Sequence, residues 1–402
     1  MIHPFLNGLG ASAGAGLTYI YNVVPVLSAM PDVHTTLALQ PHLRREFESF
    51  PKVTLADAPV PSAAASHFWF EQQHLAAVIR RSRADVLLSA GNFALRKSPV
   101  PQILLSGNSL YVCADFYRDL RRRNEYGLWL DTRLKGTFAK KSVQWADCTV
   151  APTRAFADQL QRWTGRNVVA IHHGFDQQTF FGDESPISEE IRRQLDASGA
   201  CLKLLFVSHY NYYRNFETLF QAIPLIRSRL NSRKLRLFLT CKLEPGKNPG
   251  SYKTTSAADL IARLGVRDEV VELGAVPYRQ LHHLYRSCDI YVTPAYTETF
   301  AHPLVEAMAS GLPIVASDLA VHREVCGPAA VYFEKFAPDQ LAERVCELAV
   351  QHELALKISN LGKEQALNFS WSKHTQDLLA IAGQLADAPA LRAKHPASGL
   401  RS

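Results

Sequence analysis

Two kinds of hydrophobic segment alternate along the whole chain. Short runs of consecutive apolar residues are typical of strands buried on both faces, and apolar residues at every third or fourth position are typical of amphipathic helices. Their alternation predicts an α/β fold with parallel sheets covered by helices. In the first half the patterns predict strands at 35–39, 85–89, 102–106, 148–151 and 168–171, and helices at 18–27 and 69–80.

The alternation restarts after an acidic, turn-rich stretch at 181–200, which we interpret as a linker. Pro224 should kink the predicted helix 215–230 or end it early. The 402 residues suffice for two domains, placed at 1–180 and 201–370, with a helix at 371–387 and a tail at 388–402 expected to be disordered. The second half has predicted strands at 202–207, 235–240, 270–273, 289–293 and 313–316, and further helices at 278–286 and 338–350.

Composition is that of an ordinary globular protein, with 47% hydrophobic and 20% charged residues. The seven cysteines form no C-x-x-C pair, which argues against a zinc site or a disulfide framework and favours a reduced, cytoplasmic environment. The first residues lack the pattern of a signal peptide, and no apolar run is long enough to span a membrane. The few residues before Gly8 leave the true start codon open.

The net charge of +7 is partly clustered. Two interpretations stay open: a solvated basic surface, or a site that attaches the protein to the anionic inner face of a membrane. No nucleic-acid-binding motif accompanies the charge, so we expect no nucleic acid partner. The basic residues are Arg118, Arg121, Arg122 and Arg123, followed by Lys135, Lys140 and Lys141.

The segment 294–318 carries the clearest chemical signal. Glu298 follows a predicted strand, and Glu306 lies in a short predicted helix with Pro303 at its start and Gly311 just past its end. A loop and a helix N-terminus between two parallel strands present free N–H groups to an anion. Two carboxylates beside them can accept hydrogen bonds from hydroxyls, and a nucleotide sugar offers both phosphate and hydroxyls. We expect neither glutamate to lie in a core.

This segment resembles the E-x7-E signature of the retaining glycosyltransferases of family 4, which read E-x-F-G-x-P-x-x-E-A-M-A-x-G-x-P-V-V-A-S. The chain departs from that signature at Ala301, where the family usually has Gly. It matches at Glu298, Phe300, Pro303, Glu306, Ala307, Met308, Ala309, Gly311, Pro313, Val315, Ala316 and Ser317.

The resemblance implies two Rossmann-like domains facing across a cleft, the GT-B architecture, with the acceptor on the N-terminal side. Arg214 stands where the family has a lysine that binds the donor diphosphate, and His209 stands where it has an arginine. Glu306 would bind the ribose, and Glu298 would face the transferred sugar. Further donor-binding positions are Leu273, Gly274 and Val276 for the base, with Phe300, Ala301 and His302 beside the glutamates.

The first domain resembles the family more loosely. Its glycine-rich loop has Gly14 and Gly16 where the family places backbone near the donor phosphate. The same loop satisfies G-x-G-x-x-A from Gly8, which leaves an NAD-dependent enzyme as an alternative. Asn108 replaces a family histidine that touches the reacting sugar, and it could hydrogen-bond that sugar.

The resemblance implies a metal-independent enzyme that transfers a hexosyl unit, as a first guess mannosyl from GDP-mannose with UDP-sugars close behind. The chain has no D-x-D motif, and the neighbouring His172 and His173 would point to opposite faces of a strand, so we expect no metal. The acceptor would be a glycan or a lipid-linked molecule in polysaccharide or lipopolysaccharide assembly. A degenerate, non-catalytic nucleotide-binding protein remains the other alternative, because of the departures at His209, Ala301 and Asn108.

Overall fold

The computed structural model describes residues 1–10, 15–58, 69–230, 233–247 and 252–387 of the chain. The chain divides into two compact units, each built on its own sheet. Unit 1 comprises Met1–Val112, Asp131–His172 and Trp371–Ser402, and unit 2 comprises Cys113–Leu130 and His173–Ser370. The predicted α/β class is confirmed, because both sheets are parallel and alternate with helices.

The sheet of unit 1 has the order β3-β2-β1-β4-β5-β6-β7 among the described strands, and every pair is parallel. The chain moves outward from β1 to one side and then returns to the other side at β4. The loops that follow β1 and β4 therefore lie at the switch point, where open α/β sheets bind ligands. The strands are β1 (Pro4–Asn7), β2 (Thr35–Ala38), β3 (Val53–Leu55), β4 (Val86–Ala90), β5 (Gln102–Leu105), β6 (Cys148–Ala151) and β7 (Val169–Ala170).

Unit 2 repeats this arrangement with the described order β10-β9-β8-β11-β12-β13, again with parallel pairs throughout. Its switch point lies between β8 and β11. Leu204, Leu237 and Val292 are fully buried, as expected for strands covered on both faces. The strands are β8 (Leu202–Phe206), β9 (Leu235–Leu239), β10 (Val270–Glu272), β11 (Ile290–Thr293), β12 (Ile314–Ser317) and β13 (Val331–Phe333).

Helices cover both sheets. The described α-helices are α1 (Ala15–Ala29), α2 (Ala76–Ser82), α3 (Ala114–Arg122), α4 (Tyr126–Trp145), α5 (Arg154–Thr164), α6 (Gln177–Phe181), α7 (Glu189–Asp196), α8 (Phe216–Arg229), α9 (Thr255–Leu264), α10 (Leu281–Ser287), α11 (His302–Ala309), α12 (Ala320–Cys326), α13 (Pro338–Val350), α14 (His352–Ala366) and α15 (Trp371–Asp387). None of these described helices is long and apolar enough to cross a bilayer.

The last helix, α15, belongs to unit 1. On α15, the Nε2 atom of His374 lies 2.9 Å from the Tyr19 hydroxyl oxygen of α1. The Nδ1 atom of His374 lies 2.8 Å from the carbonyl oxygen of His172. Trp371 packs edge-on against Tyr19 at a centroid distance of 5.7 Å. These contacts fix α15 on α1 within the core of unit 1.

Every predicted strand is present, with ends that differ by at most one residue. The patterns missed β1, β3 and β13.

Helix predictions were less accurate. Helix α8 continues through Pro224 to Arg229, so the helix does not end early, and the alternative of a kink at Pro224 stays a prediction. The predicted helix 69–80 contains a turn of π-helix at Glu71–Leu75, followed by α2. The stretch 181–200 contains α7, and the last part of unit 2 begins earlier, at His173. Cys113–Leu130, which lies within the predicted first domain, also belongs to unit 2. The tail 388–402 lies outside the described residues.

The basic cluster is split between surface and interior. Arg118, Arg121 and Arg122 are exposed. Arg123 is instead partly buried in unit 2, where its guanidinium pairs with Asp119 at 2.8 Å and Glu217 at 2.9 Å. Its inclusion in a membrane-binding surface is therefore a wrong prediction, because its charge is already neutralised by two carboxylates.

Candidate functional site

The candidate site lies where β8 and β11 end, at the switch point of unit 2. Asn215 follows β8 in a left-handed conformation, with φ 57°, and forms the entry to α8. Its side-chain amide donates to the carbonyl of Pro294 at 2.9 Å, and its oxygen accepts from the Thr218 hydroxyl at 2.9 Å. Asn215 thus holds the loop after β11 against the start of α8, and this places Arg214 and Glu298 together.

Arg214 and Glu298 form a largely buried ion pair. The Arg214 side chain is 19% exposed and that of Glu298 is 9% exposed. Within the described residues, the Nε atom of Arg214 is buried and lacks a hydrogen-bond partner. A buried N–H without a partner is costly unless a ligand or water completes it. The guanidinium therefore has an unused donor beside its carboxylate.

Glu306 lies in α11, where its Oε2 atom accepts a hydrogen bond from the Tyr285 hydroxyl at 2.8 Å. Glu306 is only 4% exposed. Burial raises its pKa to about 7, although the hydrogen bond from Tyr285 acts in the opposite direction. The expectation that neither glutamate lies in a core is wrong, because both Glu298 and Glu306 are buried.

Helix α11 begins and ends with left-handed residues. Ala301, at the N-cap, has φ 66° and ψ 64°, and Gly311, just past the end, has φ 69°. Pro303 is the second residue of the helix, one position later than predicted. A left-handed conformation strains any residue with a Cβ atom, so the Ala301 position favours glycine on backbone grounds alone.

An aromatic cluster surrounds this N-terminus. The rings of His173 and His302 stack at 5.3 Å, with 3.2 Å between Nδ1 of His173 and Nε2 of His302. Phe300 is 1% exposed and packs edge-on against Phe369 at 5.4 Å. Phe300 is therefore a core residue that fixes the loop, whereas Ala301 and His302 begin the helix that carries Glu306.

His209 lies in the loop after β8 and is exposed. Partial burial and the nearby Arg214 cation both lower its pKa, so the imidazole is neutral at pH 7 in the free protein.

The predicted base-binding stretch follows β10. Leu273 and Val276 are half-buried there, and Gly274 adopts φ 85° against the Lys242 side chain. The loop thus requires a left-handed residue at Gly274.

Residues 187–365 match a family model described as glycosyl transferases group 1. These residues form a group 1 glycosyltransferase domain. The matched stretch contains Arg214, Glu298, Glu306 and the loop after β10. It includes no residue of unit 1.

Curated relatives are similar over part of the chain. The D-inositol 3-phosphate glycosyltransferase of Salinispora arenicola is 28% identical over 250 residues, which cover 60% of this chain and 55% of the relative. The chain thus spans about half the length of the curated relatives that it matches.

Solved structures share the fold over nearly the whole chain. Sucrose-phosphate synthase from Thermosynechococcus elongatus superposes with a TM-score of 0.74 at 16% identity, covering 96% of this chain and 99% of that chain. The Anabaena protein HepE in complex with UDP-glucose superposes with a TM-score of 0.70 at 15% identity, covering 96% and 100%. The likeness establishes the two-sheet fold of the GT-B glycosyltransferases.

The glycosyltransferase domain contains residues that the sequence reasoning missed. Tyr285 bonds Glu306, and Asn215 joins the two loops. An Asn directly before an apolar helical pattern was a readable signal for a helix entry.

His322 on α12 is fully buried, and its Nε2 atom has no partner among the described residues. Burial lowers the pKa of His322 to about 4, so it is neutral.

The remaining predicted positions belong to unit 1. Gly16 is the second residue of α1, and Gly14 lies outside the described residues. Asn108 follows β5, and its side-chain oxygen accepts from the Leu110 N–H at 3.0 Å. Its side chain therefore caps a short 3-10 turn. Across the described parts of the chain, no group of three or more potential metal ligands is found.

Proposed function

We propose that the protein transfers a glycosyl unit from a nucleotide diphosphate sugar. One observation carries the proposal: at the switch point of unit 2, Arg214 has a buried Nε donor without a partner among the described residues. Such a donor on a cation suits a diphosphate, because guanidinium groups form charge-assisted and often bidentate hydrogen bonds to phosphate.

In this proposal Glu298 neutralises Arg214 in the free protein and turns toward the transferred sugar when the diphosphate replaces it. Glu306 accepts hydrogen bonds from the ribose hydroxyls through the oxygen that Tyr285 leaves unused. Arg214, a neutral His209 and the N–H groups at the start of α11 stabilise the negative charge on the departing diphosphate. Leu273, Gly274 and Val276 contact the base.

The finer identity of the reaction is also proposed. We infer a hexosyl donor, with GDP-mannose first and UDP-sugars close behind, and HepE in its complex with UDP-glucose supports testing UDP-glucose equally. We infer retention of configuration and no requirement for a metal, since Arg214 supplies the positive charge at the diphosphate. The acceptor is a glycan or lipid-linked molecule in polysaccharide or lipopolysaccharide assembly.

We further propose attachment to the anionic inner face of a membrane, through the exposed arginines of helix α3 in unit 2. These arginines are Arg118, Arg121 and Arg122. They complement anionic lipid at about 1 kcal/mol for each well-placed basic residue.

Sedimentation with vesicles tests this attachment. Wild-type protein should bind phosphatidylglycerol-containing vesicles and should dissociate as salt rises. Arg118→Gln/Arg121→Gln/Arg122→Gln should lower binding. Equal partitioning of wild type and this variant to neutral and anionic vesicles would refute it.

The donor proposal is tested by calorimetry with GDP, UDP and NAD, together with hydrolysis of radiolabelled nucleotide sugars. Arg214→Ala should weaken nucleotide binding about tenfold to a hundredfold, because charge-assisted hydrogen bonds contribute roughly 1.5–3 kcal/mol. Glu306→Gln should weaken the free nucleotide and the donor alike. Glu298→Gln should not weaken nucleotide binding, because the diphosphate no longer displaces a carboxylate from Arg214, and it should lower turnover, because the proposed partner of Glu298 is the sugar.

Glu343→Gln, an exposed carboxylate on α13, is the matched control and should match wild type. Binding of NAD without GDP or UDP would favour an NAD-dependent enzyme. Nucleotide binding without hydrolysis or transfer of any donor would favour a non-catalytic protein. Wild-type affinity and turnover in both glutamate variants would remove them from the site.

A further inference from the structure

Unit 1 has a buried carboxylate at its own switch point. Glu71 lies on the π-helical turn before α2 and is 9% exposed. Its Oε2 atom accepts from the side-chain amide of Asn7 at 2.9 Å. Asn7 is the last residue of β1 and is also buried. The Glu71 carboxylate is therefore held at the carboxyl end of the central strand, and π-turns of this kind are frequent at functional sites.

The surrounding loops are braced and leave room. Gln72 ties the π-turn to the segment after β4, donating to the Ala94 carbonyl at 3.0 Å and accepting from the Arg96 N–H at 2.9 Å. Across the switch point, a Cβ atom on Gly91 would lie 3.9 Å from the Cα atom of Gly10. A Cβ atom on Gly10 would meet nothing within 4 Å, so the backbone there borders open space.

The partners of Glu71 are unusual for a carboxylate that serves only to stabilise a fold. Its bonded partner is a neutral amide, and no lysine or arginine of the described residues pairs with it. Its Oε1 atom makes no hydrogen bond to the described residues and is not among their fully buried unpaired atoms. Burying a carboxylate without a counter-charge is unfavourable, and burial accordingly raises its pKa to about 7.

We propose that Glu71, positioned by Asn7, binds a hydroxyl of an uncharged polyol ligand in unit 1. A carboxylate oxygen that reaches solvent accepts a hydrogen bond from a hydroxyl, and the lack of a paired cation disfavours phosphate at the same position. In terms of the proposed function, on which this identification rests, the polyol is the sugar or cyclitol part of the acceptor. Glu71 is then a specificity-determining residue.

Saturation-transfer NMR on the full-length protein tests this site without turnover. The probes are methyl α-D-glucopyranoside, methyl α-D-mannopyranoside and myo-inositol. Wild type should bind at least one of them, and Glu71→Gln should weaken that binding at least tenfold while GDP and UDP affinities stay unchanged. Gln retains an oxygen that can accept from Asn7, so the fold should survive. Glu46→Gln, a carboxylate elsewhere in unit 1 that accepts from Tyr21, is the matched control.

Two further readouts separate ligand binding from a structural role. Probe binding by wild type should strengthen as pH rises from 6 to 8 and Glu71 ionises, whereas Glu71→Gln should bind equally across that range. Glu71→Asp keeps the charge but withdraws it by one methylene, and it should also weaken binding. Equal binding by wild type and Glu71→Gln, or no probe bound by wild type, overturns the proposal. Probe binding that depends on Glu71 without any donor hydrolysis would reject only the transferase function.

Discussion

Both units bury a glutamate near the switch point of their sheet, but they hold it differently. In unit 1, Glu71 lies on a π-helical turn and accepts from the Asn7 amide at 2.9 Å. In unit 2, Glu306 lies in the regular helix α11 and accepts from the Tyr285 hydroxyl at 2.8 Å. Burial raises the pKa of each carboxyl to about 7.

The difference between the two sites is the cation. Unit 2 adds the Arg214–Glu298 ion pair at its switch point, with an unused Arg214 donor. In unit 1 no arginine or lysine of the described residues pairs with Glu71. Similar topologies can thus place similar carboxylates, while one positive charge decides whether the site suits a diphosphate or an uncharged polyol. The two proposed ligands therefore differ because the sites differ in charge, while the sheets that carry the sites share one topology.

The largest expected effect comes from removing the cation of unit 2. Arg214→Ala leaves the buried Glu298 carboxylate without its counter-charge, and breaking a buried pair in this way destabilises by roughly 3–5 kcal/mol. Chemical denaturation followed by circular dichroism measures the loss. Arg214→Ala/Glu298→Gln should recover most of it, because the second change removes the uncompensated charge.

Arg118→Ala is the control for that experiment, since Arg118 pairs with Asp115 on the surface and its side chain is 71% exposed. Exposed pairs contribute about 0–1 kcal/mol. If Arg214→Ala unfolded at the same denaturant concentration as Arg118→Ala, the ion pair would not stabilise unit 2, and the contrast between the units would be one of ligand binding alone.

The second prediction concerns the pH dependence of stability. The folded pKa of both Glu71 and Glu306 is raised from 4.5 to about 7. Each carboxyl therefore contributes stability that is fully present below pH 4.5 and is lost as pH rises through 7. A difference of this size corresponds to about 3 kcal/mol for each group. Denaturation at pH 5 and at pH 8 should show the loss in wild type.

Glu306→Gln and Glu71→Gln should each remove their own share of this pH dependence. If the units unfold in separate transitions, each variant should change only the transition of its own unit. Glu343→Gln should leave both transitions unchanged. A wild-type stability that does not fall between pH 5 and pH 8 would mean that the carboxylates are better solvated than their burial indicates.

The sequence alone predicted unit 2 better than unit 1 because the signals in unit 2 are local. Glu298, Glu306 and Gly311 lie within one short string whose spacing reflects a loop, a helix and its end. By contrast, Glu71 reads as an ordinary acidic residue near the start of the predicted helix 69–80. Its burial depends on Asn7, 64 residues away, and the π-turn leaves no periodic signature.

Contacts with distant residues also explain the errors within unit 2. The ion pair joins Arg214 to Glu298 across 84 positions, so each residue could be singled out but their pairing could not. Arg123 looked like part of a basic surface, whereas Glu217, 94 positions further on, pairs with it in a partly buried position. The distribution of charged residues along a sequence does not show which arginines and lysines form ion pairs in the folded protein.

The smallest expected effect tests where unit 2 stores strain. Ala301 has φ 66° at the N-cap of α11, and a left-handed conformation costs an L-residue roughly 1–2 kcal/mol. Glycine removes that cost but adds roughly 0.4–1 kcal/mol of chain entropy in the unfolded state. Ala301→Gly should therefore stabilise by about 0.5–1 kcal/mol, measured as a shift in the denaturation midpoint of unit 2.

Ala355→Gly supplies the matched control, because Ala355 lies inside α14 and glycine there should destabilise by about 1 kcal/mol. The same substitution thus has opposite signs at two alanines of unit 2. A loss of stability in Ala301→Gly similar to that in Ala355→Gly would show that the left-handed backbone before α11 is unstrained. If nucleotide affinity is unchanged in Ala301→Gly, the substitution affects the backbone at this position and no contact with the donor.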